Sequence, residues 1–130
     1  MGGGAVRPVI LVVDDDEAIR QAVSEVLEHR GYIATRVGSG AGALAYLGSG
    51  KPVSLIVLDQ NLRDMPGRQV REELQRDPKL AHIPVIVFSG VEPQGPMDGV
   101  VAFIRKSIDH PRKLFAFIDR ACRKGRSGRA

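Results

Sequence analysis

With a single cysteine, Cys122, among 130 residues, the chain cannot close an intramolecular disulfide, so a fold stapled by cross-links is excluded. His29, His82 and His110 stand far apart, and no Cys/His cluster has zinc-ligand spacing; a structural zinc site is excluded too. Long apolar runs are missing as well. The longest, such as Val9–Val13, are a few residues, far short of the roughly 20 that cross a bilayer, and Met1 to Pro8 holds no apolar stretch of the kind a secretory signal needs. The expectation is a soluble, cytoplasmic protein with no membrane partner. Nor is there a low-complexity excess: a hydrophobic share of 43% and a charged share of 26% are ordinary globular values. The length suits one domain and rules out two full ones.

The net charge of +4 hints at nucleic acid until it is located. Arg120, Arg123, Lys124, Arg126 and Arg129 all fall near the C-terminus, and without them the chain is slightly acidic. No aromatic residue interleaves this basic stretch, so it reads as a solvated tail and not a nucleic-acid grip. The organisation expected is a flexible N-terminus over 1–7, one domain over 8–123 and a basic flexible tail over 124–130.

Four Val- and Ile-rich runs, Val9–Val13, Val53–Leu58, Ile83–Phe88 and Val100–Ile104, read as buried strands, and the less apolar Tyr32–Val37 as one nearer an edge. Ile19, Ala22, Val23, Val26 and Leu27 recur at helical spacing, with Gly31 placed as a C-terminal cap. A shorter helix is predicted from Gly40 to Leu47, and a mostly charged one from Arg68 to Arg76 with only Val70 and Leu74 inward. The last begins near Pro111, carries Leu114, Phe117, Ile118, Ala121 and Cys122 on one face, and ends at Gly125. Cys122 is read as a buried small hydrophobe. Strand alternating with helix implies a parallel sheet between helical layers, an α/β three-layer sandwich.

Ligands of open parallel sheets bind beyond the carboxyl ends of the strands. In this sequence those ends carry Asp14-Asp15-Asp16, Asp59, Ser89 and Arg105-Lys106. In the flavodoxin-like order 2-1-3-4-5, strands one and three are neighbours, and Asp14, Asp15 and Asp59 converge. Clustered carboxylates repel one another without a counter-ion, and their oxygens suit a hard cation such as Mg²⁺. A carboxylate beside such a cation and a lysine is a known type of nucleophile toward phosphoryl groups. Asp16 opens the first helix and reads instead as its cap. Ser89 could be a turn residue before Gly90, but its place after a buried strand favours a group that bonds a phosphoryl oxygen; taken alone, Lys106 reads as a solvated charge and Phe103 as a core aromatic.

In this order and spacing, Ile10–Arg20, Gly31-Tyr32, Leu55–Asp59, Val85–Ser89 and Phe103–Lys106 resemble the response-regulator receiver domains of two-component signalling. The resemblance covers about residues 8–123. It implies a phosphoacceptor at Asp59 and a Mg²⁺ held directly by Asp15, mainly through water by Asp14, by Asp59, and by the backbone carbonyl of Asn61. Ser89 would be the switch hydroxyl, Lys106 the phosphate-pairing lysine and Phe103 the aromatic that reports the switch. A sensor histidine kinase or phosphotransfer protein would supply the phosphoryl group, and a downstream protein target would read it. The domain would be a signalling domain and not an enzyme beyond its own Mg²⁺-dependent phosphorylation and dephosphorylation.

The sequence departs from that pattern in several places. Arg63 and Pro66-Gly67 stand where the family has a Pro and an Asp-Gly, Gly90 replaces a small residue such as Ala, and Lys106-Ser107 replaces Lys-Pro, which is typically cis. Between Ser89 and the fifth strand too few residues remain for an average helix, and Pro93, Gly95, Pro96 and Gly99 break it further. The fourth helix of the family is therefore expected to be short or missing, with 91–99 a mobile loop that only Val91 and Met97 could anchor. Too little sequence follows Cys122 for an output domain, so the chain is expected to be a stand-alone receiver or a piece of a longer regulator. The competing expectation is a non-switching interaction module with the receiver fold and a silent site. A flavin-binding domain is excluded, because Asp14-Asp15-Asp16 fills the loop where a phosphate would bind.

Overall fold

The structure, a computed structural model, describes residues 7–127 and the side chains of 7–123. The expectations for residues 1–6 and 128–130 lie outside the described residues. Five strands, β1 (Val9–Val13), β2 (Ile33–Val37), β3 (Leu55–Leu58), β4 (Val85–Ser89) and β5 (Val100–Arg105), pair in parallel in the order β2-β1-β3-β4-β5. This is the flavodoxin-like order expected. Successive side chains of a strand point to opposite faces, so the continuous apolar runs feed two cores. Ile10, Val12, Leu55, Val57, Ile86 and Ile104 pack under α1 (Glu17–His29) and α4 (Arg112–Ser127). Leu11, Val13, Ile56, Leu58, Val85 and Val87 pack under α2 (Gly40–Gly48) and α3 (Gly67–Arg76).

Local chemistry sets the element ends. The Asp16 carboxylate accepts from the backbone N–H of Ala18 (3.0 Å) and Ile19 (3.2 Å) and starts α1 as its cap. Beyond that helix Gly31 takes φ +95°. The N–H groups of Gly31 and Tyr32 then turn back to the carbonyls of Glu28 and Leu27, the Schellman arrangement that a left-handed glycine permits. β3 and β4 begin two residues later than the apolar runs suggest, at Leu55 and Val85. For β4 the reason is Pro84, which has no N–H to give to a ladder; its carbonyl still accepts from Ile56. α4 runs past Gly125 to Ser127, so the expected flexible tail is helical in backbone over 124–127. Cys122 is half-buried against the core rather than enclosed by it.

No helix lies between β4 and β5: residues 90–99 are turns and irregular chain. Gly95 and Gly99 hold φ of +82° and +81°, a conformation that disfavours side chains. Val91 and Met97, the only apolar anchors expected, are exposed, and the loop is held elsewhere. Arg71, which the helical reading left on the polar side of α3, is buried at 3% exposure. It donates to the carbonyls of Pro96 (2.5 Å) and Gln94 (2.7 Å). No peptide bond among the described residues is cis, Lys106–Ser107 included.

Candidate functional site

Strand register brings the site together. Val13 is paired with Leu58, and Val87 with Phe103 and Leu58, so the residues just beyond β1, β3, β4 and β5 emerge on one edge. The backbone pattern continues past the strand ends: the Asp59 N–H donates to Val13 O (3.0 Å) and the Lys106 N–H to Ser89 O (3.0 Å). Asp14 and Asp59 thus leave neighbouring strands side by side, with Ser89 one strand on.

Asp14, Asp15 and Asp59 each place a carboxylate oxygen within 4.8 Å of the other two. Asp14 and Asp59 are buried, at 3% and 6% exposure. Lys106 Nζ donates to Asp14 Oδ2 at 2.7 Å and to Asp59 Oδ2 at 3.3 Å, and it lies 5.5 Å from the centre of the Phe88 ring. Burial pushes the Asp14 carboxyl above the usual aspartate value, and the Lys106 hydrogen bond offsets part of that rise. Burial alone would lower Lys106, but its hydrogen bond to Asp14 and the nearby Asp59 charge outweigh this and hold it above the usual lysine value. The ammonium therefore stays charged between two carboxylates.

The other oxygen of Asp59, Oδ1, accepts from the buried Ser89 hydroxyl at 2.7 Å and from the Asn61 N–H at 3.2 Å. Asp14, Asp15, Asp59, Asn61, Ser89 and Lys106, the polar site residues expected from the sequence, therefore all reach this edge. Asn61 meets Asp59 through its N–H, and the turn that carries it is closed by a bridge to Pro66. Phe103 packs half-buried against the α2/α3 core, three residues before Lys106. Three oxygens of this kind, converging beside a lysine, fit a hard divalent cation by number and type.

Several residues around the site escaped the sequence reading. The guanidinium of Arg63 lies 3.5 Å from Asp15 Oδ2, and that of Arg20 donates to the Asp14 carbonyl at 2.7 Å. The Asp64 carboxylate accepts from the N–H groups of Gly40 and Ala41, both at 2.9 Å, and ties the loop after Asp59 to the start of α2. Gln60 is buried behind Asp59. Long-range partners leave no local signal, but Arg71 did leave one: Gly67, Val70, Arg71 and Leu74 stand at i, i+3, i+4 and i+7, the spacing of a buried face. A cation in that pattern is readily discounted because arginine is so seldom buried.

The sequence model of the response regulator receiver domain matches residues 10–119. A two-component response regulator of rice, ORR8 of Oryza sativa subsp. indica, is 37% identical over 102 residues, 78% of this chain and 78% of that one. Among solved structures, a sensor protein from Polaromonas sp. JS666 superposes with a TM-score of 0.79 at 28% identity, over 89% of this chain and 96% of that one. The response regulator TrrA from Thermotoga maritima, crystallised with Mg²⁺ and BeF, shares the fold with a TM-score of 0.76 at 24% identity, over 88% and 98%. The match spans all five strands and the acidic edge they build, and on that ground the chain belongs to the response regulator receiver domain family.

Proposed function

We propose that this receiver domain accepts a phosphoryl group on Asp59 and that the modified site changes a contact with another protein. The observation that carries the reading is the surroundings of one carboxylate: Asp59 has the Ser89 hydroxyl on one oxygen, the Lys106 ammonium on the other, and two more acids within 4.8 Å. Such a set has little structural use, since burying carboxylates together is costly unless something charged is held there. Asp14, Asp15, Asp59 and the Asn61 carbonyl would hold Mg²⁺. Bound there, Mg²⁺ would supply the positive charge that a transferring phosphoryl group requires.

The protein's own groups do the rest. An Asp59 oxygen forms the new O–P bond as the donor's bond to phosphorus breaks, and the donor atom leaves with that electron pair. Lys106 and the Ser89 hydroxyl then pair with phosphoryl oxygens in place of Asp59 itself. The expected donor is the phosphohistidine of a sensor histidine kinase or phosphotransfer protein in the cytoplasm, and the reader is a downstream protein. Phe103, half-buried beside β4, would report the change.

A second reading, a silent interaction module, is favoured by the missing helix between β4 and β5. One experiment separates the two. With Mg²⁺ and acetyl phosphate, intact-mass spectrometry should show a single phosphoryl adduct on the wild type and none on Asp59→Asn, with both proteins folded. An adduct that survives Asp59→Asn places the acceptor elsewhere, and a wild type that takes none leaves the silent module.

A further inference from the structure

We propose that Arg71 is a positioning residue for the Asp59 site: it clamps the loop between β4 and β5 onto α3, where a packed helix would otherwise stand, and so holds the chain that begins at Ser89. The inference rests on the reading of Asp59 as phosphoacceptor. Arg71 is the only arginine buried among the described residues, and its hydrogen-bond acceptors are all uncharged. Nη1 donates to Pro96 O at 2.5 Å, Nη2 donates to Gln94 O at 2.7 Å, and Nη2 makes a long 3.5 Å contact with Gln60 Oε1. Nη1 also lies 3.9 Å from Met97 Sδ. No acid is hydrogen-bonded to this buried guanidinium; Glu72 supports its charge only from a distance while Arg68 opposes it, and such a group is a poor stabiliser in itself. Its fork instead fixes two backbone carbonyls of one loop and touches the residue that follows Asp59.

The rest of α3 is built to the same end. A Cβ on Gly67 would meet the Asp59 carbonyl at 2.5 Å, so only glycine lets the first turn of the helix lie against the acceptor residue. One turn on is Arg71. A Cβ on Gly95 would meet Arg68 at 2.7 Å, and one on Gly99 would meet Gln75 at 2.7 Å. Arg68, Arg71 and Gln75 therefore form a polar stripe along α3 on which the loop is laid with its glycines inward. The loop leaves directly from Ser89, whose hydroxyl is 2.7 Å from Asp59 Oδ1, and the Val91 N–H lies 3.5 Å from that same hydroxyl. Arg71 thus ties Gln60, the chain neighbour of Asp59, to the loop that leaves from Ser89, and it touches neither the Asp59 carboxylate nor Ser89.

The test uses the full chain with Arg71→Met and Arg71→Lys. Methionine matches the length without donors, and it leaves the Pro96 and Gln94 carbonyls without their partner, so some loss of stability accompanies it. In Arg71→Met, the amide signals of Gln60 and Ser89, and of the loop residues Gln94 and Met97 that Arg71 holds, should move. The initial rate of Mg²⁺-dependent labelling by acetyl phosphate should fall by about tenfold to a hundredfold, with partial recovery in Arg71→Lys. Should Arg71→Met fail to fold, Gly95→Ala displaces the same loop while leaving the arginine in place, and it should lower the labelling rate as well. A labelling rate within about twofold of wild type, or unmoved Gln60 and Ser89 signals, overturns the proposal. A wild type that takes no label overturns the phosphoacceptor reading, and the Gln60 and Ser89 signals still decide the role of Arg71.

Discussion

Lys106 sits where one side chain can satisfy or unbalance the whole edge. Its ammonium is shared by Asp14 at 2.7 Å and Asp59 at 3.3 Å, and its side chain is itself only 19% exposed. Removing it leaves two buried carboxylates facing each other in a poorly solvated site. Lys106→Met is therefore expected to destabilise the metal-free protein by about 2–3 kcal/mol, somewhat less than for a fully buried pair because the lysine keeps some water. Urea unfolding in a chelating buffer measures this, and a loss below about 0.5 kcal/mol, the size of an ordinary surface change, would show the ammonium to be a solvated charge. Ser89 illustrates the opposite case. From the sequence, only its place after a buried strand favours a ligand over a turn residue, and its complete burial against Asp59 Oδ1 supplies the partner that the sequence could not name.

At the scale of elements, helix ends and glycines decide how the loops are held. α2 has no acidic residue in its first turn, and the Ser39 hydroxyl serves only the Gly42 N–H. Its remaining N-terminal N–H groups are met by Asp64, which comes from the loop after Asp59. Those hydrogen bonds hold the Asp64 carboxyl below its usual value of 3.8. A carboxyl lowered by folding stabilises the native state fully above its ordinary value and loses that contribution as pH falls through the lower native one. The stability advantage of wild type over Asp64→Ala should accordingly be constant near neutrality and shrink as pH is taken below 3.8. Thermal melts at stepped pH test this, and an advantage that does not fade with acid would mean that the carboxylate is not what caps α2. α3 was legible as a helix but not as a clamp, because a propensity reading scores Arg71 as solvated, whereas it is buried and donates to carbonyls more than twenty residues away.

For the whole molecule, the acidic edge predicts a stability that depends on metal. If Asp14, Asp15 and Asp59 bind one Mg²⁺ in the native state only, the ion at about 100 times its Kd should add roughly 2.7 kcal/mol. In a domain of this size that is a rise in Tm of several degrees. The rise should vanish in Asp14→Asn and be absent with potassium chloride of equal ionic strength. A wild type whose melting ignores millimolar Mg²⁺ would place the protein with the silent module.

What the sequence determined by itself is the frame. Four apolar runs rich in Val and Ile call for burial, a fifth, less apolar one takes the edge, and their alternation with amphipathic helices leaves a parallel sheet as the solution; the acids, the hydroxyl and the lysine then follow from standing at strand ends. Pro93, Gly95, Pro96 and Gly99 likewise sufficed to remove a helix, since a missing donor and a left-handed φ are local facts. Tertiary structure alone decided what replaced it. Whether Arg71 faces water or the Gln94 and Pro96 carbonyls, whether Asp64 caps its own turn or α2, and whether Ser89 meets Asp59 all depend on groups far apart in the chain. Periodicity reports which face of an element is buried; it carries no information about the polar atoms waiting on the other side.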